Sequence, residues 1–225
     1  MPCLSKSGIF FSKVSENFRE LYAQVRRIRA LLQLPFEKVF CLQEGSSRAG
    51  FVVQAAQGAT IEIGSGTGLN VQHYPDAVTR LVLAEPDRHM RARLGRRVNA
   101  LSSDAEIVDA KAERLPFPDA TFDTAVASLV LCTVPDQQVA LREVARVLKP
   151  NGRLLFLEHV RSDDPKVAKW QDRMRPCYNL VGCNPNRATL AAIEESVFEI
   201  ESVRHGEVPK APKVERPLIV GIARR

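Results

Sequence analysis

The stretch Glu62-Ile63-Gly64-Ser65-Gly66-Thr67-Gly68 follows a short β-rich run and places glycine at every second position of its turn. Glycine adopts positive φ readily and lets a ligand lie against the backbone, so glycines at the end of a strand predict a ligand-binding turn. The spacing G-x-G-x-G argues against the G-x-G-x-x-G/A of a dinucleotide fold, and the chain contains no G-x-x-x-x-G-K-[ST] phosphate loop. We expect the next helix to begin near Gly68, with its N-terminal amides facing an anionic group.

An acidic residue follows the second apolar run of the chain. Leu81–Ala84 ends in Glu85, which lies 21 residues after Gly64. A carboxylate at the end of a second strand can accept hydrogen bonds from both hydroxyls of a ribose. Glu85 alone would be an ordinary surface acid, but beside the glycine turn it predicts a ribose contact.

Strand-like and helix-like segments alternate from residue 58 to the end of the chain. Strands are predicted at Ala59–Ile63, Leu81–Ala84, Ala105–Val108, Phe122–Ser128, Arg153–Leu157, Phe198–Val203 and Leu218–Ile222. Helices are predicted at Asp87–Val98, after Asp136, after Asp164 and at Arg187–Ser196. This alternation predicts an α/β fold, with a mostly parallel seven-stranded sheet and helices on both faces. A proline-rich loop without a helix joins the last two strands, so the last strand is expected to be antiparallel.

The composition is that of a soluble globular protein, with 45% hydrophobic and 26% charged residues in a chain of 225. A formal net charge of +6 could suit an anionic membrane surface or nucleic acid, although it more often reflects an ordinary solvated surface. The five cysteines are odd in number and lack C-x-x-C spacing, so we expect reduced thiols in a cytoplasmic protein and no metal site. No apolar run approaches the ~18 residues of a membrane-spanning helix.

Residues 1–57 form a separate N-terminal segment in this interpretation, ahead of a catalytic domain at residues 58–225. Apolar residues recur at helical spacing between Phe18 and Leu32, and arginines lie on the opposite face. This basic amphipathic helix is expected either to pack on its own domain or to act as a substrate lid or a membrane-surface contact.

Several motifs, taken in order, resemble the class I S-adenosylmethionine-dependent methyltransferases of the type-11 group. Glu62–Gly68 resembles the first motif of that family and Glu85-Pro86-Asp87 the second. The later motifs are Ala112–Asp119, Phe122-Asp123 and Arg146–Gly152. The resemblance covers residues 53–225 and implies a Rossmann-like class I methyltransferase fold with S-adenosylmethionine as the cofactor.

A narrower resemblance, to a subgroup whose animal members are membrane-associated thiol methyltransferases, rests on three short segments. These are Leu129–Val134, Glu158-His159-Val160 and Gly182-Cys183-Asn184. The animal members carry an N-terminal hydrophobic anchor. We find no such anchor in this sequence and expect at most a peripheral membrane contact.

The resemblance implies a role for individual residues of the cofactor site. Gly64, Ser65 and Gly66 would lie against the methionine part of the cofactor, Glu85 would bind its ribose, and the Ala112 amide would meet its adenine. Ser128 and Leu129, at the end of the fourth strand, would border the sulfonium. The same motifs add Glu62, Gly68, Pro86 and Glu113 to the predicted cofactor site.

The adenine end of this site departs from the family pattern. Many relatives have an aspartate before the residue that corresponds to Ala112, where this chain has Lys111. A lysine cannot accept a hydrogen bond from the adenine amino group. Glu113 or a backbone group is then the alternative acceptor.

Methyl transfer is an in-line displacement from an activated sulfonium, so positioning can supply most of the catalysis. A base is needed only where the acceptor arrives protonated. His159, after the fifth apolar run, is the candidate base if it opens toward the ligand, and a structural histidine otherwise. Glu158 could orient His159 or bind substrate, whereas Cys132 and Cys183 are expected to be packing thiols.

We therefore expect a methyltransferase that acts on a small molecule, with a thiol or another soft lipophilic nucleophile favoured as the acceptor. The alternatives are an RNA or protein methyltransferase, or a cofactor-binding module without catalysis. No nucleic-acid partner is expected. The arginines of Asp87–Val98 lie opposite an apolar face, and no aromatic residues are interleaved with them for base stacking.

Overall fold

The computed structural model describes residues 52–180, 182–208 and 211–225, so the basic helix predicted between Phe18 and Leu32 lies outside the described residues. The strands of the described part are β1 (Gly58–Ile63), β2 (Val78–Ala84), β3 (Glu106–Val108), β4 (Phe122–Ser128), β5 (Leu148–His159), β6 (Glu199–Glu207) and β7 (Pro217–Arg224). They form one sheet in the order β3-β2-β1-β4-β5-β7-β6.

The direction of the strands agrees with the sequence-based expectation. β1 runs parallel to β2 and β4, and the β2–β3 and β4–β5 pairs are also parallel. β7 is antiparallel to both of its neighbours, β5 and β6. The chain between β6 and β7 contains only a 3-10 turn at Lys213–Glu215, which is too short for the crossover that a parallel pair requires. The prediction of a mostly parallel sheet with an antiparallel last strand is confirmed.

The described residues contain four α-helices, and three of them begin where the sequence predicts. They are α1 (Arg88–Ala100), α2 (Gln137–Val147), α3 (Pro165–Leu180) and α4 (Thr189–Glu194). The side chain of Asp87 accepts from the first amides of α1, and that of Asp136 does the same for α2. Asp164 accepts from the amide of Lys166, the second residue of α3, at 2.8 Å. Each aspartate satisfies amides that have no partner within the helix.

Helices cover both faces of the sheet, as the alternation within β2 shows. Val82 packs in one cluster with Val144 of α2, whereas its neighbour Leu83 packs with Leu94 and Val98 of α1. Successive side chains of a strand point to opposite faces, so α1 and α2 lie on opposite sides of the sheet. No helix in the described part is both long enough and apolar enough to cross a membrane.

The helix expected to begin near Gly68 is absent, and this prediction is wrong. The described chain forms only a 3-10 turn at Val71–His73 before it reaches Tyr74 with ψ of 135°. Two constraints account for the difference. Pro75 disfavours helical geometry at the residue before it. In addition, Asn70 and Tyr74 donate hydrogen bonds to the buried carboxylate of Glu62, which hold this segment against β1.

Two element bounds also differ from the predictions in ways that affect the site. β5 continues through His159, beyond the predicted Arg153–Leu157, so this histidine is a sheet residue paired with Leu218 of β7. The last predicted helix, Arg187–Ser196, is shorter and spans Thr189–Glu194.

Candidate active site

The loops that follow β1 to β5 lie at one edge of the sheet because these five strands are parallel. β1 connects to β2 on one side and lies beside β4 on the other, so the winding of the chain reverses at β1. Ligands of open α/β sheets bind outside the carboxyl ends of the strands at such a switch point. A surface depression between residues 194 and 200 lies at the opposite edge, where β6 begins.

The glycine turn after β1 combines positive φ with one open face. Gly64, Gly66 and Gly68 have φ of +60°, +57° and +82°. A Cβ on Gly64 would lie 2.3 Å from Val130 Cγ2, and a Cβ on Gly68 would lie 2.5 Å from Leu94 Cδ1. A Cβ on Gly66 would meet nothing closer than a carbonyl oxygen at 3.9 Å. Gly64 and Gly68 are therefore required by packing, whereas Gly66 leaves space above the turn for a ligand.

Glu62 anchors the segment that follows the turn. Its side chain is buried, and its carboxylate accepts from Asn70 Nδ2 at 2.6 Å and from the Tyr74 hydroxyl at 3.1 Å. The Ser65 hydroxyl donates to the Glu62 carbonyl at 3.1 Å, which closes the turn. Burial raises the pKa of Glu62 to about 7, although the two side-chain hydrogen bonds lower it.

Glu85 joins the glycine turn to the end of β2. Its Oε2 accepts from the Gly66 amide at 2.8 Å, and its Oε1 accepts from the Asp87 amide at 2.8 Å. Burial raises the pKa of Glu85, and the two amides oppose that shift. A carboxylate offers about four acceptor positions, so each oxygen retains one. Pro86, which separates these two acids, is exposed.

The loop after β3 carries the predicted adenine contact. Ala112 is buried and Lys111 is exposed, and the contact of the Ala112 amide with adenine stays a prediction. Glu113 Oε1 is buried without a hydrogen-bond partner among the described residues. An unpartnered buried acceptor is rare and points to a missing donor. The Glu143 carboxylate fixes the loop by accepting from the Leu115 amide at 2.7 Å.

One buried carboxylate anchors the loop that follows β4. Glu158 is fully buried and accepts from the amides of Val130, Leu131 and Cys132 at 2.9, 2.8 and 3.0 Å. Burial raises the pKa of this group to about 7, against the effect of the three amides. The sequence-based expectation that Glu158 orients His159 or binds substrate is corrected, because its carboxylate is directed to these amides.

Ser128 is the last residue of β4, and Leu129 is the first residue of the loop that follows. Both are half-buried, and Leu129 has φ of +57° while its amide donates to the Leu157 carbonyl at 2.7 Å. The next residue, Val130, is the one that contacts Gly64. The structure therefore brings the ends of β1 and β4 together, as the resemblance implied for a sulfonium site.

His159 does not open toward a ligand face, which corrects the geometry expected for a base. Its side chain is only 2% exposed, and its Nδ1 lies 3.8 Å from the Cys183 sulfur. The Cys183 sulfur also lies 3.9 Å from the Cys132 sulfur, and Tyr178 packs against both. The contact between the two thiols lowers the pKa of Cys183 and raises the pKa of Cys132, and burial raises the pKa of Cys132 further.

Sequence reasoning missed this cluster because its three residues lie on segments that are far apart in the chain. Cys132 follows β4, His159 ends β5, and Cys183 follows α3. No local spacing motif could identify the group. The only signal was that all three residues lie within the segments that resemble the thiol methyltransferase subgroup.

Three large side chains of α3 differ in exposure and form no continuous apolar wall. Trp170 is 57% exposed, whereas Met174 and Tyr178 are half-buried. The Tyr178 hydroxyl donates to Glu215 at 2.6 Å and so fastens α3 to the loop before β7.

Comparison with known proteins identifies the family of this chain. Residues 61–156 match the family described as methyltransferase domain. The human thiol S-methyltransferase TMT1A is 32% identical to this chain over 169 residues, which make up 72% of this chain and 69% of that protein. The chain belongs to the methyltransferase domain family.

One further relative is named for a different reaction, and a solved structure shares the fold. The ubiquinone/menaquinone biosynthesis C-methyltransferase UbiE of Hahella chejuensis is 32% identical over 170 residues, or 72% of this chain and 65% of that protein. A crystal structure of an S-adenosylmethionine-dependent methyltransferase from Thermotoga maritima, described as a possible histamine N-methyltransferase, has a TM-score of 0.66. The sequence identity is 18%, with 89% of this chain and 99% of that chain covered, and this similarity shows the fold.

The glycine turn of the methyltransferase predicts a contrast between two substitutions. Gly64→Ala must displace Val130 and also hold an alanine at positive φ, whereas Gly66→Ala carries only the backbone cost of about 1–2 kcal/mol. We expect Gly64→Ala to lower the free energy of unfolding by about 1–3 kcal/mol more than Gly66→Ala does. Urea denaturation measures both. Gly95→Ala, in a helix with no atom nearer than 3.9 Å to the new Cβ, is the control and should raise the free energy of unfolding by about 0.5–1 kcal/mol. Equal losses at Gly64 and Gly66 would contradict this packing.

The raised pKa of Glu62 predicts that the stability of the protein depends on pH. Its folded pKa of about 7 lies above the ordinary value of 4.5, so the folded protein holds a proton that the unfolded chain releases. The free energy of unfolding should therefore fall as pH rises from about 4.5 to 7, by an amount on the order of 2–3 kcal/mol from this residue. Glu62→Gln should flatten that fall in urea denaturation at several pH values. Glu158 contributes equally to both proteins, so an unchanged pH slope in the variant would refute the prediction.

Proposed function

We propose that this chain transfers the methyl group of S-adenosylmethionine to a small-molecule acceptor, with a thiol or another soft lipophilic nucleophile favoured. The observation that carries the proposal is the Glu85 carboxylate, which is fixed beside an open glycine turn and retains one acceptor position on each oxygen. Ribose presents two adjacent hydroxyl donors, which match two such positions.

The other residues of the edge also fit this cofactor. The face above Gly66 is open, so the methionine part can lie against the backbone there. The unpartnered Glu113 Oε1 is an acceptor of the kind that the adenine amino group needs, and so replaces the aspartate absent at Lys111. Glu85, whose carboxylate accepts from two amides, lies beside the turn where a cofactor with a positive sulfonium and an ammonium group would bind.

The bound cofactor would supply an electrophilic methyl group, and the chain supplies position. Glu158 fixes the loop after β4 through three amides, and Val130 of that loop packs against Gly64. Ser128 and Leu129 are thereby held at the junction between the cofactor turn and the acceptor side. Holding an acceptor in line at this junction is the main catalytic contribution expected of the chain.

The relatives support the acceptor class. TMT1A is named for a thiol acceptor and UbiE for carbon methylation in quinone biosynthesis, and both reactions concern small molecules. A soft nucleophile suits a methyl group on a sulfonium sulfur. The RNA or protein alternative finds no comparable support at the site.

A screen of thiols, phenols and amines that reads out S-adenosylhomocysteine tests this function. We expect turnover with at least one thiol, and binding of S-adenosylmethionine in calorimetry without any acceptor. Binding with no product from any acceptor would support the non-catalytic alternative, and absence of binding would refute the proposal.

Glu85→Gln tests the ribose contact directly. The amide replaces an acceptor with a donor that faces the Gly66 N–H, so affinity for S-adenosylmethionine should fall by roughly 10- to 100-fold. Glu106→Gln is the matched control, because Glu106 lies on β3 and is half-exposed in a pair with Arg80. Equal affinities in the wild type and the Glu85 variant would remove the observation on which the proposal depends.

A further inference from the structure

The geometry points to a zinc-type metal site formed by Cys132, His159 and Cys183. Their ligand atoms all lie within 4.8 Å of one another, and each side chain is at most 3% exposed. Two thiol sulfurs and an imidazole nitrogen are the donors that zinc prefers in proteins. The cluster lies at the carboxyl edge, beyond the ends of β4 and β5.

The distances between the ligand atoms decide between metal coordination and a disulfide. Tetrahedral bonds of about 2.3 Å to sulfur and 2.0–2.1 Å to nitrogen place two sulfurs roughly 3.8 Å apart and a sulfur and a nitrogen roughly 3.6 Å apart. The observed separations are 3.9 Å between the sulfurs and 3.8 Å between Cys183 Sγ and His159 Nδ1. A disulfide needs the sulfurs at about 2.05 Å, so the two cysteines are free thiols whose spacing is compatible with a shared ion.

The backbone around the three ligands is already fixed. The Cys132 amide donates to Glu158, and the Cys132 carbonyl accepts from the Asn184 amide at 2.9 Å. This second bond ties the Cys132 loop to the residue after Cys183. His159 is held by its strand pairing with Leu218. Ligands arranged in this way need little movement to enclose an ion.

The protein supplies three ligands, and the described residues add no fourth histidine, cysteine or acid to the group. Structural zinc sites use four protein ligands, whereas catalytic ones use three, including Cys₂His, and leave one position for water or substrate. We therefore assign the fourth position to a non-protein ligand. Cys132 lies three residues after Leu129, in the loop that follows β4.

The fourth position would deepen the proposed function, on which this step rests, by taking the sulfur of a thiol acceptor, which must enter past ligand side chains that are at most 3% exposed. A thiol that coordinates zinc loses its proton, which passes to solvent. The sulfur lone pair then forms the new bond to the methyl carbon as the bond between that carbon and the sulfonium breaks. The products are a methyl thioether and neutral S-adenosylhomocysteine, and no separate protein base is required.

Titration of the full-length protein with Co²⁺ and Zn²⁺, under a phosphine reductant, tests the site without methyl donor or acceptor. We expect one equivalent of Co²⁺ with thiolate charge-transfer and tetrahedral visible bands, which Zn²⁺ then abolishes. Cys132→Ser and Cys183→Ser should each lower zinc affinity at least tenfold, while His205→Ala, at an exposed histidine of β6, should leave it unchanged. Circular dichroism checks that the variants fold.

The outcomes separate the metal site from the methyltransferase activity. A wild-type protein that binds no Co²⁺ while reduced, or one whose thiolate bands survive both cysteine substitutions, overturns the site even if turnover is normal. A disulfide between Cys132 and Cys183 that persists in the reductant does the same. A small thiol should shift the visible bands of the cobalt form, and unshifted bands would overturn the acceptor role. Metal binding without any turnover would count against the proposed function alone.

Discussion

Buried carboxylates at the ends of β1, β2 and β5 hold the loops of the carboxyl edge in place. Glu62 fastens the segment after the glycine turn, Glu85 accepts the Gly66 amide, and Glu158 accepts three amides of the loop after β4. A buried carboxylate is costly unless hydrogen bonds compensate it, and these bonds come from the loops themselves. The burial of these carboxylates therefore costs free energy, and their hydrogen bonds at the same time order the loops of the site.

This arrangement makes the edge rigid on both sides of the proposed methyl transfer. Glu85 holds the glycine turn, the proposed donor side, and Glu158 holds the loop after β4, the proposed acceptor side, with the contact between Val130 and Gly64 joining the two. A displacement reaction gains most from such fixed geometry, since the leaving group is already activated. Cys132 belongs to the same loop, so Glu158 supports both the proposed metal site and, through the contact between Val130 and Gly64, the glycine turn.

Local signals predicted much of this molecule. The alternation of strands and helices gave the sheet and its antiparallel last strand, and Asp87, Asp136 and Asp164 marked three helix starts because capping depends only on nearby residues. The position of Glu85 at the end of β2, beside the glycine turn, also agrees with the sequence, whereas its ribose contact stays a prediction. These features depend on contacts within short segments or on a regular topology.

Other features depend on contacts between distant segments, and sequence reasoning missed them. The helix expected near Gly68 does not form, since Glu62 and Pro75 constrain the chain there. His159 was expected at an open face, yet β5 extends through it and buries it against Cys183. Nothing in the local sequence around Cys132 indicates that residues 27 and 51 positions later complete a cluster with it.

A crystal structure of the chain with S-adenosylhomocysteine tests the central claim most directly. The account predicts that the ribose hydroxyls lie within hydrogen-bond distance of the Glu85 carboxylate, with the amino acid part above Gly66 and the adenine beside Glu113. A ligand bound elsewhere, or one at the turn whose ribose leaves Glu85 uncontacted, would contradict it.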